Sequence, residues 1–122
     1  MERILVIGSY NVGLTVLGKR IPRIGETVMG DLFDMGPGGK GSNQAITASR
    51  LGGDVVFLAK VGKDIFGDDA LKLFSKEGLP AEFVKIDESA HTGAGIIFVD
   101  EQGHNCIGVV LGANLKLTPE DI

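Results

Sequence analysis

Two continuous apolar runs of strand length stand out in the hydrophobic pattern of the chain. Residues 3–8 (RILVIG) and residues 55–62 (VVFLAKVG) are apolar at nearly every position. A strand buried on one face alternates apolar and polar residues, whereas an uninterrupted run is typical of a strand buried on both faces. The pattern therefore predicts two core strands of a parallel sheet in an α/β domain.

Two segments beside these runs have helical spacing. Residues 42–53 (SNQAITASRLGG) predict a short helix that ends at Gly52. Residues 67–79 (GDDALKLFSKEGL) carry acidic residues in a first turn, apolar residues at helical intervals and Gly78 as a stop signal. Helices that alternate with buried strands favour a parallel core sheet with helices on its faces.

The remaining strand signals indicate a second, smaller sheet. Residues 27–35 (TVMGDLFDM) mix polar and apolar positions and predict a half-exposed strand outside the core sheet. Residues 93–100 (GAGIIFVD) and 105–112 (NCIGVVLG) are apolar runs separated by EQGH, which predicts a β-hairpin that turns at Gly103. Cys106 lies in the second of these runs and is expected to be a small core residue.

The last residues, TPEDI, have the composition of a helix start. Thr118 can act as an N-cap, Pro119 suits the first helical position, and two acidic residues follow. Buried parallel strands need helices on both faces, and only two complete helices are predicted. We therefore expect residues 1–122 to be the N-terminal portion of a larger domain, with a natural chain end and a frayed turn as the alternative.

The bulk composition narrows the class of protein. The 122 residues are 43% hydrophobic and 23% charged, which is a core-forming composition, and the net charge of −4 disfavours a nucleic-acid-binding surface. No apolar run approaches the roughly 20 residues that span a bilayer, and the N-terminus lacks the layout of a signal peptide. The single cysteine allows no internal disulfide, so we expect a cytoplasmic protein.

The segment GPGGKGSNQA, residues 36–45, raises a question of chemistry because glycines lead directly into a predicted helix. Its glycines match the dinucleotide fingerprint G-x-G-x-x-G, but that fingerprint needs an acidic residue at the end of the next core strand, where Lys60 stands. A P-loop needs Ser or Thr after the lysine, and Gly41 follows Lys40.

Two interpretations of these glycines stay open on the residues alone. Bare glycines let a ligand approach the backbone, where helix-N-terminal amides, Lys40 and Asn43 would contact its oxygens. The alternative is a tight strand-to-helix turn without a ligand.

The segment GGKGSNQA, with Gly52 and Gly62 at the following spacings, resembles the N-terminal signature of the ribokinase-like (PfkB) carbohydrate kinases. The segments VIGSYNVG, VGKDIFGDDALKLFSKEG and TGAGIIFVDEQGHNCIGVVLGAN resemble family segments in the same order. The resemblance implies an incomplete ribokinase-like α/β fold, in which residues 1–122 form the N-terminal portion of one domain. Its parallel core sheet would be flanked by helices and carry a small β lid, with lid strands near 14–18, 27–35, 93–99 and 105–111.

The resemblance also implies an activity, ATP-dependent phosphorylation of a sugar or polyol. Asn11 would hydrogen-bond sugar hydroxyls, residues 39–43 would hold the sugar at the helix start, and two lid residues would cover its apolar side. The substrate-binding residues would thus be Asn11, Gly13, Gly39, Lys40, Gly41, Ser42, Asn43, Gly95 and Val109.

The family's catalytic aspartate and nucleotide site lie in a C-terminal half that these residues do not match. ATP and Mg²⁺ are therefore expected in a full-length parent, and this chain alone is expected to bind neither, to hold no metal and to be inactive. The expected partners are a small-molecule sugar and a second copy of the chain through the lid strands, with no nucleic acid or membrane. The alternative is a non-catalytic, truncated sugar-binding or assembly module.

One position departs from the family pattern. Ribokinases have an aspartate two residues after the asparagine that Asn11 matches, and this chain has Gly13 there. A carboxylate that accepts charge-assisted hydrogen bonds is not replaced by a hydrogen atom without loss. The departure argues against ribose as the preferred substrate.

Overall fold

Two sheets make up the strand structure of residues 2–122, which the computed structural model describes. The first is parallel and contains β1 (Arg3–Ile7), β4 (Asp54–Gly62) and β5 (Val84–Asp87) in the order β1-β4-β5. The second has the order β3-β2-β6-β7 and contains β2 (Asn11–Leu17), β3 (Leu32–Gly38), β6 (Gly93–Val99) and β7 (Asn105–Val110). The helices α1 (Lys40–Arg50) and α2 (Ile65–Lys76) complete the fold with short 3₁₀ turns.

The core lies between β4 and the two helices. Every residue from Val55 to Ala59 is buried, as an uninterrupted apolar run in a central strand should be. The Phe74 ring of α2 packs edge-on against Phe57 and Tyr10, with ring centroids 5.3 and 5.4 Å apart. This aromatic cluster anchors the residue that precedes β2, and therefore fixes where the second sheet leaves the core.

The expectation that β1 is buried on both faces is wrong for residues 2–122. Ile4, Leu5 and Ile7 are 44%, 54% and 49% exposed. The reason is position in the sheet: β1 lies at its edge with β4 as its single neighbour, whereas β4 lies between two strands. Only Val6 of β1 packs against the core cluster.

The strands of the second sheet differ in their bounds from the expected lid strands. The hairpin strands lie at Gly93–Val99 and Asn105–Val110 and turn at Gly103, which has a φ of +84°. The strand expected near 14–18 begins earlier, at Asn11, and the one expected near 27–35 begins later, at Leu32. The antiparallel register, in which Leu17 pairs with Leu32 and Asn11 with Gly38, sets these limits.

Three further differences concern the second half of the chain. β5 has no counterpart among the expected strands, because its four residues carry little periodic signal. Cys106 is exposed on β7 instead of lying in the core. The helix-start residues form a single 3₁₀ turn, Pro119–Asp121, with a Thr118 capping box.

Among residues 2–122, no helix is long and apolar enough to cross a membrane.

Asp64 joins the two sheets at the point where β4 ends, α2 begins and β6 begins. One carboxylate oxygen accepts hydrogen bonds from Gly67 N at 2.8 Å and Thr92 Oγ1 at 2.7 Å, and the other accepts from Thr92 N at 2.8 Å. The Thr92 hydroxyl in turn accepts from Gly62 N at 2.9 Å. Burial raises the pKa of Asp64, but the hydrogen bonds from Thr92 and Gly67 outweigh it and lower the pKa below its usual value.

A pH-dependent stability follows from this lowered pKa. Its contribution is present above the unfolded-state pKa of about 3.9 and is lost as the pH falls through the lower folded-state value. We expect Asp64→Asn to reduce the free energy of unfolding by about 1–2 kcal/mol near neutral pH, because an amide cannot accept both Thr92 bonds. Urea unfolding of both proteins across this pH range is the measurement. The difference in the free energy of unfolding between the two proteins should narrow below about pH 4.

The exposed first-turn neighbour Asp68 provides the control. Asp68→Asn should change the free energy of unfolding by less than Asp64→Asn does, since Asp68 has no tertiary hydrogen bond within residues 2–122. A loss of stability in Asp64→Asn that does not change with pH would show that the Asp64 carboxylate does not hold this junction together.

Candidate functional site

The register of the second sheet gathers four of the predicted site residues on one face. Gly13 pairs with Gly95 of β6, and Gly95 pairs with Val109 of β7. Residues in lateral register point to the same side, and Asn11 lies two positions before Gly13 on the same strand. Asn11, Gly13, Gly95 and Val109 therefore share one face, which we call the Asn11 face.

The start of α1 adjoins this face. Asn11 pairs with Gly38, the last residue of β3, and Gly39 is the N-cap of α1. Gly39 has φ +94° and ψ 131°, a backbone conformation that favours glycine. The predicted residues from Gly39 to Asn43 thus continue directly from the strand that pairs with Asn11.

Contact between two backbones holds the helix start in place. A Cβ on Gly41 would lie 2.7 Å from Gly8 Cα and 3.0 Å from Ser9 N, so only glycine permits this approach. Ser42 N donates to Ser9 O at 3.1 Å. The turn between β1 and β2 therefore sets the position of the first turn of α1.

Polar groups remain available at this helix start. Gly39 has no side chain to cap the helix, and within residues 2–122 the amides of Lys40 and Gly41 have no acceptor. The side chains of Lys40 and Asn43 are exposed. Free amides and the positive end of the helix dipole favour the oxygen atoms of a ligand.

Ser42 is placed differently from its neighbours. Its side chain is fully buried, and its Oγ has no hydrogen-bond partner within residues 2–122. The side chain therefore lies beneath the helix start and outside the open surface that Lys40 and Asn43 share.

The opposite face of the second sheet has a separate character. A cavity of about 160 Å³ lies between it and α2, lined by Tyr10, Val12, Met35 and Leu73 among others. Burial, followed by the nearby Asp69 carboxylate, raises the pKa of the Tyr10 phenol. This cavity is mostly apolar and is separated by the sheet from the Asn11 face.

Sequence reasoning missed Asn114, which follows β7. Its Nδ2 lies 2.9 Å from Asn11 Oδ1, so it contacts the side chain expected to bind sugar. The contact joins residues 103 positions apart. The only available signal was its place in LGAN, at the end of the predicted hairpin, which says nothing about its partner.

Comparison with known proteins agrees with this geometry. The sequence profile described as pfkB family carbohydrate kinase matches residues 1–122. The chain belongs to this family. The ribokinase-like fold expected from the glycine signature is thereby confirmed, as is the family to which that signature pointed.

Individual relatives share the family's N-terminal part with this chain. Mouse ribokinase and the deoxyribokinase of Salmonella typhimurium are each 40% identical over 119 residues, which is 98% of this chain and 37% and 39% of theirs. The structure of Arabidopsis thaliana ribokinase complexed with ribose and ATP matches with a TM-score of 0.83 and 29% identity, covering 91% of this chain and 36% of that one. The chain thus spans less than two fifths of the length of these relatives.

The contact between Gly41 and Gly8 leads to a direct test. We expect Gly41→Ala to destabilise the protein by about 1–3 kcal/mol, because a methyl group must force two backbones apart. The same displacement moves the helix start away from Asn11. Thermal unfolding is the measurement.

A matched glycine provides the control for this test. A Cβ on Gly108 of β7 would meet no atom within 4 Å, so Gly108→Ala should leave stability nearly unchanged. If Gly41→Ala behaved like Gly108→Ala, the close approach would not hold the site in place.

Proposed function

We propose that this chain provides the sugar-binding face and the lid of an ATP-dependent kinase that phosphorylates a hydroxyl of a sugar or polyol. The observation that carries the proposal is the junction of the Asn11 face with the uncapped first turn of α1, in a chain of the pfkB family. In phosphoryl transfer the protein contributes mainly positioning and charge stabilisation. Orienting the acceptor hydroxyl is the part of this task that we assign to residues 1–122.

The groups at the junction divide this task. Asn11 and the free amides of Lys40 and Gly41 bind sugar oxygens, and the Lys40 ammonium and Asn43 lie on the same open surface. Gly95 and Val109 cover the apolar side of the sugar from the lid, where Val109 is 53% exposed. A covering lid also excludes water, which would otherwise compete as the phosphoryl acceptor.

We assign ATP, Mg²⁺ and the catalytic base to the part of the family's length that this chain does not span. Among residues 2–122, no group of three His, Cys, Asp or Glu side chains lies close enough together to hold a metal ion. Bound ATP supplies the phosphoryl group, and the chain described here holds its acceptor. The non-catalytic sugar-binding module remains the second candidate, because the Asn11 face and lid alone would suffice for it.

The identity of the sugar is a separate proposal that rests on Gly13. Relatives named for ribose and for deoxyribose are equally similar to this chain, so overall identity does not select between them. A Cβ on Gly13 would lie 3.5 Å from Gly36 O and 3.8 Å from Ile97 Cδ1, which is ordinary contact. The position has room for a side chain, and we propose that a substrate bulkier than ribose, or a different one, uses that room.

The full-length protein that contains this chain tests both proposals. It should phosphorylate at least one substrate from a panel of D-ribose, 2-deoxy-D-ribose, D-fructose and the nucleoside inosine with ATP and Mg²⁺, and it should be a poor ribokinase. Gly13→Asp should improve kcat/KM for ribose by about 10- to 100-fold, because each charge-assisted hydrogen bond contributes about 1.5–3 kcal/mol. Coupled ADP-release assays measure the change.

Two results would count against these proposals. Absence of phosphorylation with a wide sugar panel, together with saturable sugar binding, would favour the non-catalytic module. Efficient ribose phosphorylation by the wild type, with no gain in Gly13→Asp, would overturn the argument from Gly13 alone.

We also propose that the lid strands mediate self-association. Each residue of β7 is exposed, including Ile107, Val109 and Val110 at 53–55% exposure, and β7 is an edge strand of its sheet. Exposed apolar sheet faces and edges favour pairing with another chain. A second copy of the lid would cover this surface.

If the lid strands pair, the average molecular mass in solution should rise with protein concentration, and one charged residue in the contact should prevent this rise. Light scattering of the wild type should give a mass above that of one chain, and Ile107→Lys should shift it toward the monomer, because a charge in an apolar contact is costly. Lys85→Ala on β5, away from the lid, should leave the mass unchanged. A monodisperse wild-type monomer at high micromolar concentration would contradict the proposal.

A further inference from the structure

The side chain of Asn114 makes more hydrogen bonds than any other side-chain amide in residues 2–122. Its Oδ1 accepts from Tyr10 N at 3.0 Å, and its Nδ2 lies 2.9 Å from Tyr10 O, 2.9 Å from Asn11 Oδ1 and 2.8 Å from Leu111 O. Two N–H groups serve three acceptors, so one of them is shared. The amide pairs with both backbone groups of Tyr10, as a neighbouring strand would.

These backbone partners determine which way the Asn114 amide points. Tyr10 N can only donate, and the carbonyls of Tyr10 and Leu111 can only accept. The Asn114 oxygen must therefore face the Tyr10 amide, and its NH₂ group must face the two carbonyls. If the amide were reversed, its NH₂ group would face the Tyr10 N–H, donor against donor. Its oxygen would face the carbonyls of Tyr10 and Leu111, acceptor against acceptor.

The orientation of Asn114 in turn determines that of Asn11. Because Asn114 presents a donor, the Asn11 atom that faces it must be the acceptor Oδ1. The other Asn11 atom, Nδ2, makes no hydrogen bond with any of residues 2–122. Asn11 therefore presents two N–H donors on its face of the sheet, and its acceptor is already occupied.

The surrounding backbone leaves little freedom to this arrangement. A Cβ on Gly93, which pairs with Asn11, would overlap Asn11 Oδ1 and Asn114 Nδ2. Ala113 N donates to His91 O at 2.8 Å, and Gly112 has a φ of +54°, so the residues around Asn114 are tied to the start of β6. Asn114 is thereby held in place independently of any ligand.

We propose that Asn114 is a positioning residue that makes Asn11 a hydrogen-bond donor toward the substrate, so that Asn11 recognises an oxygen acting as acceptor. The inference rests on the proposed sugar-binding role of the Asn11 face. It adds the polarity of that recognition and the residue that enforces it. A substrate that presents only a hydroxyl hydrogen at this point would not be recognised.

A double-mutant cycle in the full-length protein tests the proposal, with the panel sugar of highest kcat/KM as the probe. Asn11→Ala and Asn114→Ala should each raise the KM for this sugar by about 3- to 10-fold, the effect of one hydrogen bond, without changing the KM for ATP. In the Asn11→Ala background, Asn114→Ala should raise the sugar KM by less than about twofold further, because Asn114 acts on the substrate only by orienting the Asn11 side chain. A merely structural role would give the same factor in both backgrounds.

Asn11→Asp tests the polarity without disturbing Asn114. The carboxylate keeps the oxygen that accepts from Asn114 Nδ2 but lacks the free N–H donors, so the fold should persist while the KM rises at least as much as in Asn11→Ala. This variant decides the matter if Asn114→Ala does not fold. A wild-type KM in Asn11→Asp would show that Asn11 accepts from the substrate and would overturn the proposal.

Ser49→Ala serves as the control for general destabilisation. It removes the hydrogen bond from Ser49 Oγ to Glu77 O, at the end of α1 far from Asn11 and Asn114, so its sugar KM should stay within about twofold of wild type. An unchanged KM in Asn11→Ala would refute the sugar-binding role of the Asn11 face and this inference with it. A raised KM in Asn11→Ala with equal Asn114→Ala factors in both backgrounds would refute only the inference.

Discussion

Backbone contact between the first turn of α1 and the turn after β1 is the constraint on which the candidate site depends. Gly41 approaches Gly8 so closely that neither could carry a side chain without displacement, and the bond from Ser42 N to Ser9 O closes the contact. The helix start is thereby fixed against the backbone that leads into β2. The glycine run therefore has two roles, since it admits this packing and leaves free amides beside Asn11.

Most of the open groups at the site are hydrogen-bond donors. The free amides of Lys40 and Gly41, the Lys40 ammonium and the Nδ2 of Asn11 are all donors. Such a surface suits a ligand rich in oxygen lone pairs. It has no carboxylate at Gly13, so acceptors for the ligand's own hydroxyl hydrogens must come from other groups, such as Asn43 Oδ1, the Asp34 carboxylate on the same face of the sheet, or water.

The local sequence pattern was sufficient to predict the segments that pack against another helix or strand. β4 is buried as its apolar run predicts, α1 and α2 lie where helical spacing places them, and the hairpin turns at Gly103. At β1 the same pattern is not matched within residues 2–122, where the strand lies at the sheet edge and is about half exposed, because a run of apolar residues does not encode whether a strand is central or at an edge. The bounds of β3 depend on its register with β2, which short-range signals do not specify.

The residues of the candidate site also fall into two groups: those that the sequence identified and those whose placement depends on contacts distant in the chain. The glycine signature identified the helix start because its chemistry is local, and the family resemblance pointed to Asn11 and Gly13. Burial of Ser42 could not be foreseen, since it depends on how α1 packs against the turn at Ser9. Asn114 ends the family-like segment TGAGIIFVDEQGHNCIGVVLGAN, but the sequence could not assign it a partner, because its hydrogen bonds reach residues near the other end of the chain.

That contact has a consequence for the order in which the protein acquires its function. Tyr10 and Asn114 are separated by 104 positions, so ribosomal synthesis must be almost through this chain before the two can meet. Contacts of such long range form late, after the loop between them has been closed at an entropic cost. The β1–β2 turn therefore emerges early from the ribosome but remains without its hydrogen-bonding partner while α1, β4 and α2 assemble. Within residues 1–122, this recognition geometry is completed only after the elements between Tyr10 and Asn114 have been synthesised, and a ligand that binds the finished site draws the equilibrium toward it.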